Sequence, residues 1–162
     1  QPATVAPDGS FGVLLEVADA PSATAIAVDI YDRADPDDLI GVEPEVADDA
    51  RQSLQAGRIV RIAQPKTLAD GVATQAIGQH TFPIMRALVD EIVTVSEAEL
   101  QRALELLLTR TKQLVEPTGA LTTAAALSGR LALSGRRVMA LLCGGNVDVR
   151  ALSQLLATSP GA

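Results

Sequence analysis

Ile92-Val93-Thr94-Val95 runs straight into Ser96-Glu97-Ala98-Glu99. Branched side chains favour an extended backbone, and S-x-x-E supplies a reciprocal cap that starts a helix on the next residue. A strand that hands over to a helix so abruptly belongs to a sheet covered by helices. Similar handovers recur along the chain.

Val13–Val17 reads as a strand, with a turn at Ala18-Asp19-Ala20-Pro21 and a helix from Ser22 to about Arg33. Leu39–Val42 is a second strand, followed by a short helix over Ala47–Ala56 that Gly57 stops. Ile59–Ile62 is a third. Thr81-Phe82-Pro83 opens a helix with proline in its first turn, and the Ser96 box starts the longest helix, about Glu97–Val115. Leu121–Leu127 is a second helix in this half. Arg137–Cys143 reads as a buried strand, Gly144-Gly145-Asn146 as a tight turn, and Asp148–Ala157 as a closing helix. The expected fold class is α/β, three-layer, with a largely parallel sheet covered by helices on both faces.

The chain has 162 residues and fits one domain, at roughly 100–200 residues per domain. One His and one Cys cannot build a His/Cys zinc site or an internal disulfide, and a cytoplasmic location is expected. No apolar run reaches the ~20 residues that span a bilayer, so no membrane partner is expected. A net charge of −7 and only three aromatics (Phe11, Tyr31, Phe82) argue against nucleic acid. The charge is uneven. Residues 1–50 carry nine Asp and three Glu against Arg33 alone.

Several positions carry possible chemistry. Gly144-Gly145 lies where a strand ends and a helix begins, a place where free N–H groups meet ligands, and Cys143 adjoins it. The plainer readings are a simple chain reversal and a small buried thiol. Glu43, Glu45, Asp48 and Asp49 cluster after the second strand, where carboxylates either complement a helix dipole or hold a hard cation. His80 reads as a loop residue. Neither a Gly-x-Ser-x-Gly elbow nor a G-x-x-x-x-G-K-[ST] loop is present.

Taken together, Gly41-Val42-Glu43-Pro44, Ala47-Asp48-Asp49, Pro65–Val72, Thr81–Ile84, Val89–Ser96, Val115-Glu116-Pro117-Thr118-Gly119 and Cys143–Asp148 resemble the second half of the pyridoxal-phosphate-dependent serine/threonine dehydratases. The nearest branch holds serine racemase and the threonine and threo-3-hydroxyaspartate ammonia-lyases. The resemblance is strong over 40–156, and implies part of the large domain of a fold type II (tryptophan synthase beta-like) enzyme within a single incomplete domain, 1–162.

The resemblance implies roles. Cys143 would donate a hydrogen bond to the pyridine nitrogen of pyridoxal 5'-phosphate, Gly71 would bring its backbone close to the cofactor, and Glu116 would lie near the ring. Gly144 and Asn146 would hold the adjoining turn. A divalent cation (Mg²⁺, Ca²⁺ or Mn²⁺) would bind the Glu43 side chain, the Ala47 carbonyl and the Asp49 side chain. The implied activity dehydrates and deaminates a small hydroxy amino acid to an oxo acid and ammonia, with serine racemisation as the runner-up. A homodimer is implied for the full enzyme.

Two departures qualify this expectation. The family's Schiff-base lysine lies in an N-terminal half without a counterpart here, and neither Lys66 nor Lys112 stands in a matching context. No catalytic residue is therefore assigned, and the chain alone is expected to be inactive without that half. The cofactor-phosphate loop falls at 18–21, where Asp19 repels phosphate and Pro21 lacks an N–H. A non-catalytic, degenerate half-enzyme is the competing expectation.

Overall fold

The computed structural model describes residues 39–157 apart from 135 and 137. The expected strand at 13–17, the loop at 18–21 and the helix at 22–33 lie outside the described residues.

Strand β1 (Ile40–Pro44) and strand β2 (Glu91–Val95) pair in parallel, with Ile40 opposite Glu91 and Pro44 opposite Val95. Parallel neighbours need a crossover, and here it contains helices α1 (Asp49–Ala56) and α2 (Thr81–Leu88). After β2 come α3 (Glu97–Leu106), α4 (Leu121–Leu127) and α5 (Val149–Ala157). No helix among the described residues is long and apolar enough to cross a membrane.

The two-residue period of β2 divides its side chains between two cores. Val95 is buried and Val93 partly buried in a cluster with Val42, Leu100, Ala103, Leu104, Leu121, Ala124 and Ala125, so α3 and α4 cover that face. Ile92 points the other way, into Ala50, Ile77 and Met85, beneath α1 and α2. Helix, sheet and helix therefore form three layers. Gly41 faces Ile92 across the ladder, and a Cβ there would meet Ile92 Cγ1 at 3.0 Å. The chain is α/β with parallel strands, as the residue pattern requires.

Local signals fixed the helix ends. Ser96 Oγ accepts the Glu99 N–H while the Glu99 carboxylate accepts the Ser96 N–H at 2.8 Å, which completes the expected capping box. Gly57 closes α1 at φ +66°, and its N–H reaches back to Leu54 O.

Three expected elements differ. The longest helix, expected to reach Val115, is α-helical only as far as Leu106. A π-helical turn follows over Leu107–Thr111, and Lys112 ends it in the left-handed region with its Nζ on Thr109 O at 2.6 Å. Ile59–Ile62 forms no strand. Its N–H groups go instead to Ser53 Oγ, from Val60, and to Gln75 O, from Ile62. Residues 138–143 are not a strand either, and Val138, Leu141 and Leu142 are exposed. An apolar run becomes a strand only where a neighbour offers a matching row of N–H and C=O groups, and among the described residues none does. The segment is tethered instead by Thr122 Oγ1, which donates to Leu141 O at 3.1 Å.

Candidate cofactor-binding site

Three segments far apart in sequence meet beside the N-terminus of α4. The first is a 3-10 turn over Asp70–Val72, the second a 3-10 turn over Pro117–Ala120, and the third the 143–146 loop. Proline at the start of the second turn supplies the required φ without wasting a donor.

Hydrogen bonds join the three. Gly71 N–H donates to Thr118 Oγ1 at 3.1 Å. Glu116 N–H donates to Gly144 O at 3.1 Å, and the Glu116 carboxylate accepts the Asn146 N–H at 3.2 Å. Gly119 N–H closes its own turn on Glu116 O at 3.0 Å. All five positions expected at the cofactor, Gly71, Glu116, Cys143, Gly144 and Asn146, thus lie in one bonded cluster.

Two glycines make this approach possible. Gly144 stands at φ +79°, and a Cβ on it would overlap the Glu116 carboxylate. A Cβ on Gly119 would overlap the Cys143 carbonyl. Gly119 was not singled out from the sequence, because its neighbour lies far away in the chain.

Cys143 is half-buried and has no disulfide partner. Burial pushes its thiol pKa up, and the Glu116 charge pushes in the same direction. The sulfur therefore keeps its proton and is an S–H donor. A neutral donor at Cys143 suits the unprotonated pyridine nitrogen of pyridoxal phosphate. The residues present fit that group.

The four clustered carboxylates take different partners. Glu45 turns to Arg130 at 3.4 Å, and Asp48 pairs with Arg51 and with Gln52. Glu43 accepts N–H groups from Ala50 (3.2 Å) and Arg51 (2.9 Å), so it complements the start of α1. Asp49 Oδ1 accepts the Thr74 hydroxyl at 2.9 Å. Among the described residues no group of three Asp, Glu, His or Cys side chains could hold a metal ion.

The smaller set of two carboxylates and a carbonyl has features that suit a cation. Glu43 and Asp49 are 3% and 1% exposed, with no cationic partner among the described residues. Burial lifts the Glu43 pKa, the two N–H bonds lower it, and the charges of Asp49 and Asp48 raise it again, to about 7. Burial likewise raises Asp49 against the Thr74 hydrogen bond. Because the Arg51 N–H goes to Glu43, no donor among the described residues reaches the fully buried Ala47 carbonyl.

Supporting contacts were not visible in the sequence. The Glu97 carboxylate takes the Thr67 hydroxyl at 2.6 Å and the Leu68 N–H at 2.7 Å, which ties the segment leading to Gly71 onto α3. Arg130 bridges Glu99 and Glu45. His80 is an exposed residue just before α2, in line with its reading as a loop residue. Lys66 is exposed and Lys112 caps its own turn.

A parallel sheet between helix layers, with a glycine turn and a protonated thiol gathered at a three-loop junction, defines the class as an α/β cofactor-binding domain. The family model described as pyridoxal-phosphate dependent enzyme matches residues 8–144, and the chain belongs to that family. An L-threo-3-hydroxyaspartate ammonia-lyase from Pseudomonas sp is 47% identical over 73% of this chain and 37% of its own length. A serine racemase from Schizosaccharomyces pombe is 44% identical over 74% of this chain and 37% of its own.

Among solved structures, a threonine deaminase from T.th. superposes with a TM-score of 0.62 at 53% identity, covering 72% of this chain and 42% of that one. Maize serine racemase gives 0.65 at 31%, covering 77% and 39%. These neighbours are fold type II enzymes, and the chain shares their fold. It spans little more than a third of the length of the two relatives named first.

Proposed function

We propose that this chain is the C-terminal portion of a pyridoxal-phosphate-dependent ammonia-lyase that converts threonine, serine or threo-3-hydroxyaspartate to an oxo acid and ammonia. The observation that carries this reading is the convergence of Gly71, Glu116 and the Cys143–Asn146 loop through Thr118 and Gly119. Ammonia-lyases among the relatives support the substrate class.

When bound, pyridoxal phosphate supplies an electron sink for loss of a proton at Cα and of a hydroxyl at Cβ. Cys143 would offer its S–H to the ring nitrogen as a neutral donor. Glu116 does not reach out as a free base. Its carboxylate braces the loop that presents Cys143, and Gly71 would bring its backbone close to the cofactor.

Glu43, the Ala47 carbonyl and Asp49 hold a divalent cation in this reading, with waters completing its shell. The cation would offset two buried carboxylates and join the end of β1 to the start of α1. We place the full enzyme in the cytoplasm as a homodimer, with the N-terminal half supplying the lysine and no nucleic acid or membrane as partner.

Serine racemisation is the second reading, favoured by the 44% identity to a racemase. The test is reconstitution with the N-terminal half of a relative, followed by assay of oxo acid and of D-serine. Oxo acid from any of the three amino acids supports the lyase, and D-serine as main product supports the racemase. If neither product forms with any N-terminal half, the non-catalytic half-enzyme is the better description.

A further inference from the structure

The turn at Pro117–Ala120 touches the other two site segments at once. On one side Thr118 Oγ1 accepts the Gly71 N–H, and on the other Gly119 lies against the Cys143 carbonyl. Thr118 is only 5% exposed, whereas Gly71 is exposed away from it. A Cβ on Gly71 would meet Thr118 Oγ1 at 2.8 Å, Cγ2 at 3.3 Å and Cβ at 3.4 Å. The three atoms nearest to that Cβ position all belong to the threonine side chain.

The turn is itself held in place. Gly119 N–H bonds to Glu116 O, and Leu121 N–H bonds to Thr118 O. Ala120 and Leu121, next in the chain, are buried in the main core. Ala69 and Val72, which flank Gly71, are buried in the same core, and the Thr118 hydroxyl is the side-chain group that holds the Gly71 N–H itself.

We infer that Thr118 is a positioning residue, whose hydroxyl sets the gap between the Gly71 backbone and the Cys143–Asn146 loop across which the cofactor ring is held. This rests on the proposed cofactor reading and adds to it a residue that need not touch the cofactor. The hydroxyl has one lone pair committed to the Gly71 N–H, and a Val side chain of nearly the same shape offers none. Removing the acceptor leaves a constrained N–H without its partner, a loss worth about tenfold in an equilibrium.

The test uses the 162-residue chain and its Thr118→Val, Thr118→Ser and Thr118→Ala variants. Amide exchange at Gly71 is read by NMR. Binding of 4'-deoxypyridoxine 5'-phosphate is read by calorimetry. This probe keeps the ring nitrogen and phosphate but lacks the aldehyde, so it forms no imine with Lys66 or Lys112.

Thr118→Val and Thr118→Ala are expected to speed Gly71 exchange and weaken probe binding, each about tenfold. Thr118→Ser is expected to stay within about threefold of the parent, because it keeps the acceptor. Unchanged Gly71 exchange or unchanged binding in Thr118→Val overturns the inference, as does Thr118→Ser behaving like Thr118→Val. A parent chain that fails to bind the probe overturns the cofactor reading instead, and the Gly71 exchange rates alone then decide whether the coupling exists.

Discussion

The Glu116 carboxylate accepts the backbone N–H of Asn146 across thirty positions of sequence, at 3.2 Å, while the Glu116 N–H holds Gly144 O. One residue thus clamps both ends of the turn that follows Cys143. Glu116→Ala should leave the helices intact and loosen the loop, with faster amide exchange at Asn146. Gly144→Ala should do more harm, because a backbone φ of +79° strains any L side chain and the added Cβ would also displace that carboxylate. A loss of about 1–3 kcal/mol is expected for Gly144→Ala by thermal unfolding, and an unchanged melting temperature would contradict the geometry.

Glu43 gives a stability that falls as pH rises. Its pKa is about 4.5 unfolded and about 7 folded, so the folded chain binds more protons between those values. Stability from this group is therefore full below about 4.5 and lost as pH climbs through about 7. Such a shift corresponds to at most about 3 kcal/mol. Melting temperatures from about pH 4.5 to about pH 8 should decline more steeply in the parent than in Glu43→Gln, and parallel curves would count against the burial argument.

Asp49→Ala tests the cation. Calorimetry with Mg²⁺ or Ca²⁺ at about pH 8, above the value of about 7 for Glu43, should show binding to the parent that the variant lacks. Bound cation should also raise the parent's melting temperature, by mass action on the folded state. An identical isotherm for the variant would sink the assignment to Glu43, Ala47 and Asp49.

Glu99 works in the opposite pH direction. Burial raises its pKa, but the Arg130 guanidinium and the Ser96 N–H and hydroxyl outweigh that and bring it to about 2. The depressed value means stability present above about 4.5 and lost as pH falls toward 2. Glu99→Ala also removes half of the capping box, a change worth about 1 kcal/mol. The parent should lose melting temperature between about pH 5 and about pH 2.5 more steeply than the variant, as read by circular dichroism.

Much of the fold was legible because its signals are local. Gly57 ended α1, the Thr81-Phe82-Pro83 start opened α2, and Ser96 with Glu99 marked the start of α3 within one residue. The positions proposed for the cofactor came from a family resemblance rather than from spacing, since Gly71, Glu116 and Cys143 lie far apart in the chain. The division of four neighbouring carboxylates among Arg130, Arg51, the α1 N–H groups and Thr74 was not legible. Each partner sits on a different element or turn, and side-chain direction decides among them.

The sequence by itself determined where chain segments start, stop and hide their apolar sides, because caps, proline, glycine and β-branched runs act on their nearest neighbours. Only the tertiary structure decided which segments meet. The apolar run at 138–142 became an exposed tether rather than a strand, since a ladder needs a second row of backbone groups that its own residues cannot supply. Thr118 and Gly119 gained their places for the same reason: a hydroxyl or a missing Cβ matters only once Gly71 and Cys143 have been brought against it.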